Sequence, residues 1–195
     1  PLGQWVATPS QKATVKYFWT VSALILVQML LGVVTAHYGV EGDGFYGFPL
    51  SEWLPYSVTR TWHVQMGLFW IATAWLATGL YVAPMLGGRD PKFQRLGVNF
   101  LFVSLLVIVI GSFAGQWAAV HRFFTSLTAN FWFGHQGYEY VDLGRFWQIY
   151  LLIGLLLWVA LVVRALWPVL QRKGSKSLIY LVLVSALAIG LLYGA

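Results

Sequence analysis

The stretch "SVTRTWHVQMGLFW", residues 57–70, sets a histidine two residues inside a segment otherwise suited to lipid. A histidine on a buried membrane helix needs partners for its ring nitrogens, so His63 is the first candidate for chemistry. At helical spacing it is followed by Gly67, Trp70, Ala74 and Thr78, a face lined mainly by small side chains against which a flat macrocycle can lie. Imidazole nitrogen is a standard axial ligand of haem iron. The ordinary role, a ring bonded to a neighbouring helix or to interfacial water, fits the same pattern.

A second group lies in "TAHYGVEGDGFYGFP", residues 35–49, where His37, Glu41 and Phe45 follow one another at four-residue intervals. The glycines argue that helix geometry does not persist beyond His37. An imidazole, a carboxylate and an aromatic ring at one interface can bind a quinol head group, two proton acceptors for its hydroxyls and an apolar wall for its ring. A solvated helix end with a glycine turn is the plainer reading. A third group, "FGHQGYEYVDLGRFWQ", residues 133–148, carries Glu139 and Asp142 three apart. They suit the positive end of the next helix, or a hard cation such as calcium, which needs about 6 to 8 oxygens and hence further ligands. Gly32, Gly111, Gly115 and Gly154 read as sites of close helix packing, and Ser112 and Gln116 as polar groups satisfied by neighbouring helices. There is no phosphate-cradling glycine loop, metalloprotease helix or serine nucleophile elbow.

The elements that must position these residues are membrane helices. The 195 residues are 59% hydrophobic and only 9% charged, against roughly 25% charged in soluble chains. The apolar residues come in runs of about 20, the length that crosses a hydrocarbon core. An isolated strand cannot satisfy its backbone there, so the fold class is all-α, a polytopic transmembrane bundle of about five helices within a single segment, 1–195. The spans lie near 15–37, 61–84, 98–120, 146–167 and 177–195. With no cysteine, disulfides, iron–sulfur clusters and sulfur-ligated zinc are excluded, and any metal is held by nitrogen or oxygen.

The net charge of +6 does not indicate nucleic acid, because the basic residues are spread over short loops between spans. With the N-terminus cytoplasmic, Arg60, Arg122 and Arg145 are outside and the other basic residues inside, as the positive-inside rule requires. All four histidines, His37, His63, His121 and His135, then lie on the outer side with every acid but Asp90. Trp53, Tyr56, Trp62, Trp132 and Tyr138 fall at the same level, as an interfacial belt would. The chain starts without an initiator methionine and stops at the end of an apolar run, so a fragment of a longer protein is expected.

The order of "QMLLGVVTAHYGVEG", "RTWHVQMGLFW" and "GYEYVDLGRFWQ" resembles the catalytic subunit of bacterial nitric oxide reductases in the haem-copper oxidase superfamily, most of all the quinol-dependent single-chain form. The resemblance runs over essentially the whole chain, which would supply the first five catalytic-subunit helices. It implies that His63 is an axial ligand of the low-spin haem b and that Arg60 lies near the haem propionates. It implies further that His37, Glu41 and Phe45 form the quinol site and that Glu139 joins the propionates in binding calcium. In that family a high-spin haem b and a non-haem iron complete the reduction of two nitric oxide molecules to nitrous oxide and water. Their ligands, the second low-spin ligand and the outer hydrophilic domain are not in this sequence. The fragment alone is therefore expected to be inactive, with no catalytic residue of its own.

The implied setting is a bacterial inner membrane, with lipid, quinol and the remaining helices as partners, no nucleic acid, and assembly as a homodimer left open. A haem-copper terminal oxidase subunit is the nearest alternative. A self-contained cytochrome b, with His63 paired to His37, His121 or His135, is another, and a membrane scaffold or transporter piece a third. Against transport, no inverted repeat is visible and no charge sits in the middle of any span.

Overall fold

Each long apolar run becomes a helix whose ends are marked by local chemistry. In the computed structural model, which describes residues 6–135, 143–171, 177, 180, 181, 183–185, 187 and 188, the elements run α1 (Pro9–Val40), α2 (Leu50–Trp53), α3 (Tyr56–Gly87), α4 (Gln94–Val120), α5 (Leu127–Phe133) and α6 (Arg145–Leu170). Of these, α1, α3, α4 and α6 are long and apolar enough to cross a membrane. The described residues contain no strand, and those of the run near 177–195 are helical.

A reciprocal cap opens α1. Thr8 Oγ1 accepts the Gln11 backbone N–H at 3.3 Å, and Gln11 Oε1 accepts the Thr8 N–H at 2.9 Å. Pro9 takes the first helical position, where its missing N–H costs nothing. The helix outlasts its apolar run: the Glu41 N–H still bonds the His37 carbonyl at 2.8 Å, and only Gly42, at φ +87°, turns the chain away. The expectation that helical geometry is lost after His37 is thus corrected by one turn. The connections hold short helices as well, with α5 started by Ser126 Oγ accepting the Ala129 N–H at 3.1 Å.

The chain divides into two compact units, each using part of every long helix. The first gathers residues up to Phe18, Ala74–Leu106 and the chain from Tyr150 on. Polar side chains there fasten one helix to the backbone of another: Tyr17 OH donates to the Val98 carbonyl at 2.7 Å, Gln94 Nε2 to Leu161 at 3.0 Å and Gln11 Nε2 to Tyr81 at 2.8 Å. Such bonds are a main source of helix association once lipid removes the hydrophobic difference. Trp158 lies against Gly79, where a Cβ would sit 2.5 Å from its ring, and its Nε1 donates to the Leu76 carbonyl at 3.1 Å.

The second unit, Trp19–Thr73 with Val107–Ile149, repeats the device. Gly111 makes room for the Trp147 ring and Gly115 for the Phe133 carbonyl, which accepts the Trp147 Nε1–H at 2.9 Å. Three sequence expectations need correction. Gly154 has only a Leu101 methyl at 3.9 Å, so close packing does not require it. Ser112 reaches only the Val109 carbonyl of its own helix, at 3.4 Å, and neither polar atom of the buried Gln116 has a partner. Trp62 does not join the belt: its ring packs 5.4 Å from Phe113 and its Nε1 is buried, whereas Trp53, Tyr56 and Trp132 are exposed. Tyr138 lies outside the described residues.

Candidate functional site

His63 is held by α1. Its Nδ1 lies 2.8 Å from the Gln28 backbone carbonyl. A carbonyl only accepts, so Nδ1 carries the proton, and in the uncharged form of the ring the lone pair is on Nε2. The ring reaches a mid-helix carbonyl because the residue one turn further along α1 is Gly32. A Cβ there would stand 2.7 Å from His63 Cε1 and 2.9 Å from Nδ1, too close for any real side chain. Gly32 is therefore the seat of the imidazole rather than a general contact between helices.

The Gln28 side chain continues the same arrangement. Its Oε1 accepts the Trp70 Nε1–H at 2.7 Å, and its Nε2 lies 2.8 Å from where a Cβ on Gly67 would be. The Gly67–Trp70 face of α3 is thus covered by α1 and offers no bed for a macrocycle, contrary to the sequence reading. A planar group bonded to this histidine must approach from Nε2, which has no hydrogen-bond partner among the described residues. A neutral imidazole, turned by a backbone carbonyl on Nδ1 and free at Nε2, is what an axial haem ligand needs. The residues present fit one side of a haem iron. Arg60 is one turn before His63 on α3, its guanidinium 5.9 Å from the Tyr56 ring centre.

The structure also brings together His37, Glu41 and Phe45. His37 Nδ1 lies 3.2 Å from Glu41 Oε2, and the Phe45 ring stacks on the imidazole at 3.9 Å with an 8° tilt. Tyr46 meets Phe45 edge-on at 5.0 Å and Tyr38 at 6.0 Å. The return of Phe45 onto His37 follows from Gly42, whose left-handed backbone folds the loop back over the end of α1. The His37 and Glu41 side chains remain 35% and 42% exposed, so the pair contributes little to stability and is open to a ligand.

The other sequence candidates have different surroundings. His121 Nε2 lies 3.2 Å from the Trp53 carbonyl, which also accepts the Trp117 Nε1–H at 2.7 Å. This histidine therefore anchors the end of α2. His135 forms an isolated backbone bridge with Leu143. Glu139 and Asp142, the calcium candidates, lie outside the described residues. Among the described residues no three His, Asp or Glu side chains gather as a metal site would require. Gln28 and Gly32 were missed as site residues. The signal was a lone amide four residues before a glycine in the otherwise apolar "ILVQMLLG".

The family model for cytochrome c and quinol oxidase polypeptide I matches residues 12–195. No curated protein matches the chain.

Proposed function

The chain belongs to the cytochrome c and quinol oxidase polypeptide I family, and from that footing we propose that it forms the first helices of a quinol-oxidising nitric oxide reductase. The family consists of membrane oxidoreductases that bind haem, and the four long apolar helices suit an integral membrane protein. In this reading His63 Nε2 would hold a low-spin haem b, and Arg60 would lie near its propionates. A high-spin haem b and a non-haem iron would be held elsewhere in the full protein, and Glu139 would take part in a calcium site. The N-terminus faces the cytoplasm of a bacterial inner membrane. The observation that carries the reading is the His63 ring, fixed by the Gln28 carbonyl over Gly32 with Nε2 free.

The bound haem supplies a one-electron acceptor. The chain's own residues handle the quinol protons. His37 Nδ1 faces Glu41, so its Nε2 is the atom that accepts a proton from one quinol hydroxyl. The resulting imidazolium is balanced by the Glu41 carboxylate at 3.2 Å, whose other oxygen serves the second hydroxyl. Phe45 covers one face of the imidazole and leaves its edge as the approach. In the full protein, Glu41→Ala is expected to lower quinol-driven nitric oxide turnover by about 10²-fold, a general-base loss, and to leave turnover with an artificial reductant largely intact. Equal loss with both donors would remove the quinol assignment.

A terminal oxidase is the second reading, favoured by the family description itself, which spans cytochrome c and quinol oxidases. Parallel assays of the purified protein separate the two. Nitric oxide consumption with nitrous oxide formed supports the reductase, and oxygen consumption without it supports the oxidase.

A further inference from the structure

The face of α3 turned away from His63 carries polar atoms that neither the haem nor the quinol reading uses. Gln65 is two residues after His63, about 200° around the helix. Trp62, Gln65 and Phe69 recur at spacings of three and four and share that face, and Phe113 and Gln116 share one on α4. Phe113 joins the two: its ring lies 5.4 Å from Trp62 and 5.6 Å, edge-on, from Phe69, the residues that flank Gln65 along the helix.

Within this apolar packing, five side-chain atoms are buried without a hydrogen-bond partner: Trp62 Nε1 and the amide nitrogen and oxygen of both Gln65 and Gln116. The two glutamines are only 2% and 3% exposed. A primary amide buried unpaired is costly, and two of them on facing helices would be an unusual burden for a native core. Helices elsewhere in a longer protein cannot relieve them, because the atoms are already sealed inside this unit. A molecule small enough to reside beside them can. The set is also complementary to such a guest, with N–H donors on all three residues and carbonyl acceptors on two.

We propose that Trp62, Gln65 and Gln116 enclose ordered water between α3 and α4, a polar site that ties the His63 helix to its neighbour. Water bonded to two or more of these groups satisfies them at little net cost and forms a bridge that an apolar pair would not.

The test is a structure of the purified holoprotein in nanodiscs, at a resolution that shows water, combined with its thermal unfolding. Expected is water density within about 2.7–3.2 Å of at least two of the three side chains. Gln65→Met and Gln116→Met are each expected to lower the Tm by roughly 2–4 °C, with the double variant lowering it by less than the sum, since removing both partners of one bridge removes it only once. A direct bond between the two amides with no water, a side chain from elsewhere filling the space, or single variants that each raise the Tm would overturn the proposal. If the variants fail to assemble, the wild-type density decides alone.

Discussion

Gly32→Ala places a methyl group 2.7 Å from His63 Cε1 and forces the ring off the Gln28 carbonyl. Overpacking of this kind costs about 1–3 kcal/mol, and here the strain falls on the ligand's orientation. The variant is expected to bind haem with a diminished low-spin fraction, read from the reduced-minus-oxidised absorbance of the purified holoprotein. Gln28→Leu separates positioning from packing. It keeps the backbone carbonyl that orients His63 and removes the Oε1 that receives Trp70 Nε1–H. It should lower stability by about 1 kcal/mol and leave the haem spectrum unchanged. Spectral loss in Gln28→Leu as large as in Gly32→Ala would show that the side chain, and not the glycine seat, holds the ring. At this scale the sequence revealed the histidine and hid its support. His63 stands out because imidazole is rare in lipid, whereas a carbonyl acceptor leaves no trace in residue type.

The helices were legible for a simple reason: runs of about 20 apolar residues have one stable form in lipid. Their ends were less so. α1 extends to Val40 and α3 starts at Tyr56, beyond the apolar runs, because polar residues at an interface continue a helix as readily as apolar ones. What each glycine does could not be read at all, since spacing alone does not distinguish Gly111, pressed against Trp147, from Gly154, where a Cβ would make only an ordinary contact with Leu101 at 3.9 Å. The difference makes a paired prediction. Gly111→Ala should destabilise the protein by about 1–3 kcal/mol by displacing the Trp147 ring, while Gly154→Ala should be neutral or stabilise by up to about 1 kcal/mol through helix propensity. Thermal unfolding in detergent measures both. Similar losses at the two positions would contradict the packing derived for α4 and α6.

Over the whole molecule, chemistry is segregated. All four histidines belong to the unit built from Trp19–Thr73 and Val107–Ile149, and so do the three residues grouped at the end of α1. Lys12, Lys16, Arg89, Lys92, Arg95 and Arg164 belong to the other. These basic residues and the histidines thus fall in different units, and the family match covers both. The calcium candidate Glu139 lies outside the described residues, and those described in the last apolar run are helical, as its composition implied. The electron-transfer rival pairs His63 at one iron with His37, His121 or His135 of this chain. His37 is engaged with Glu41 and Phe45, and His121 with the Trp53 carbonyl. The most direct test of the account is the low-spin haem signal, by optical and electron paramagnetic resonance spectroscopy, in the full holoprotein carrying His63→Ala, His37→Ala or His121→Ala one at a time. The signal is expected to disappear in His63→Ala and to persist in the other two. A signal that survives the loss of His63, or that vanishes equally with His121, would contradict it.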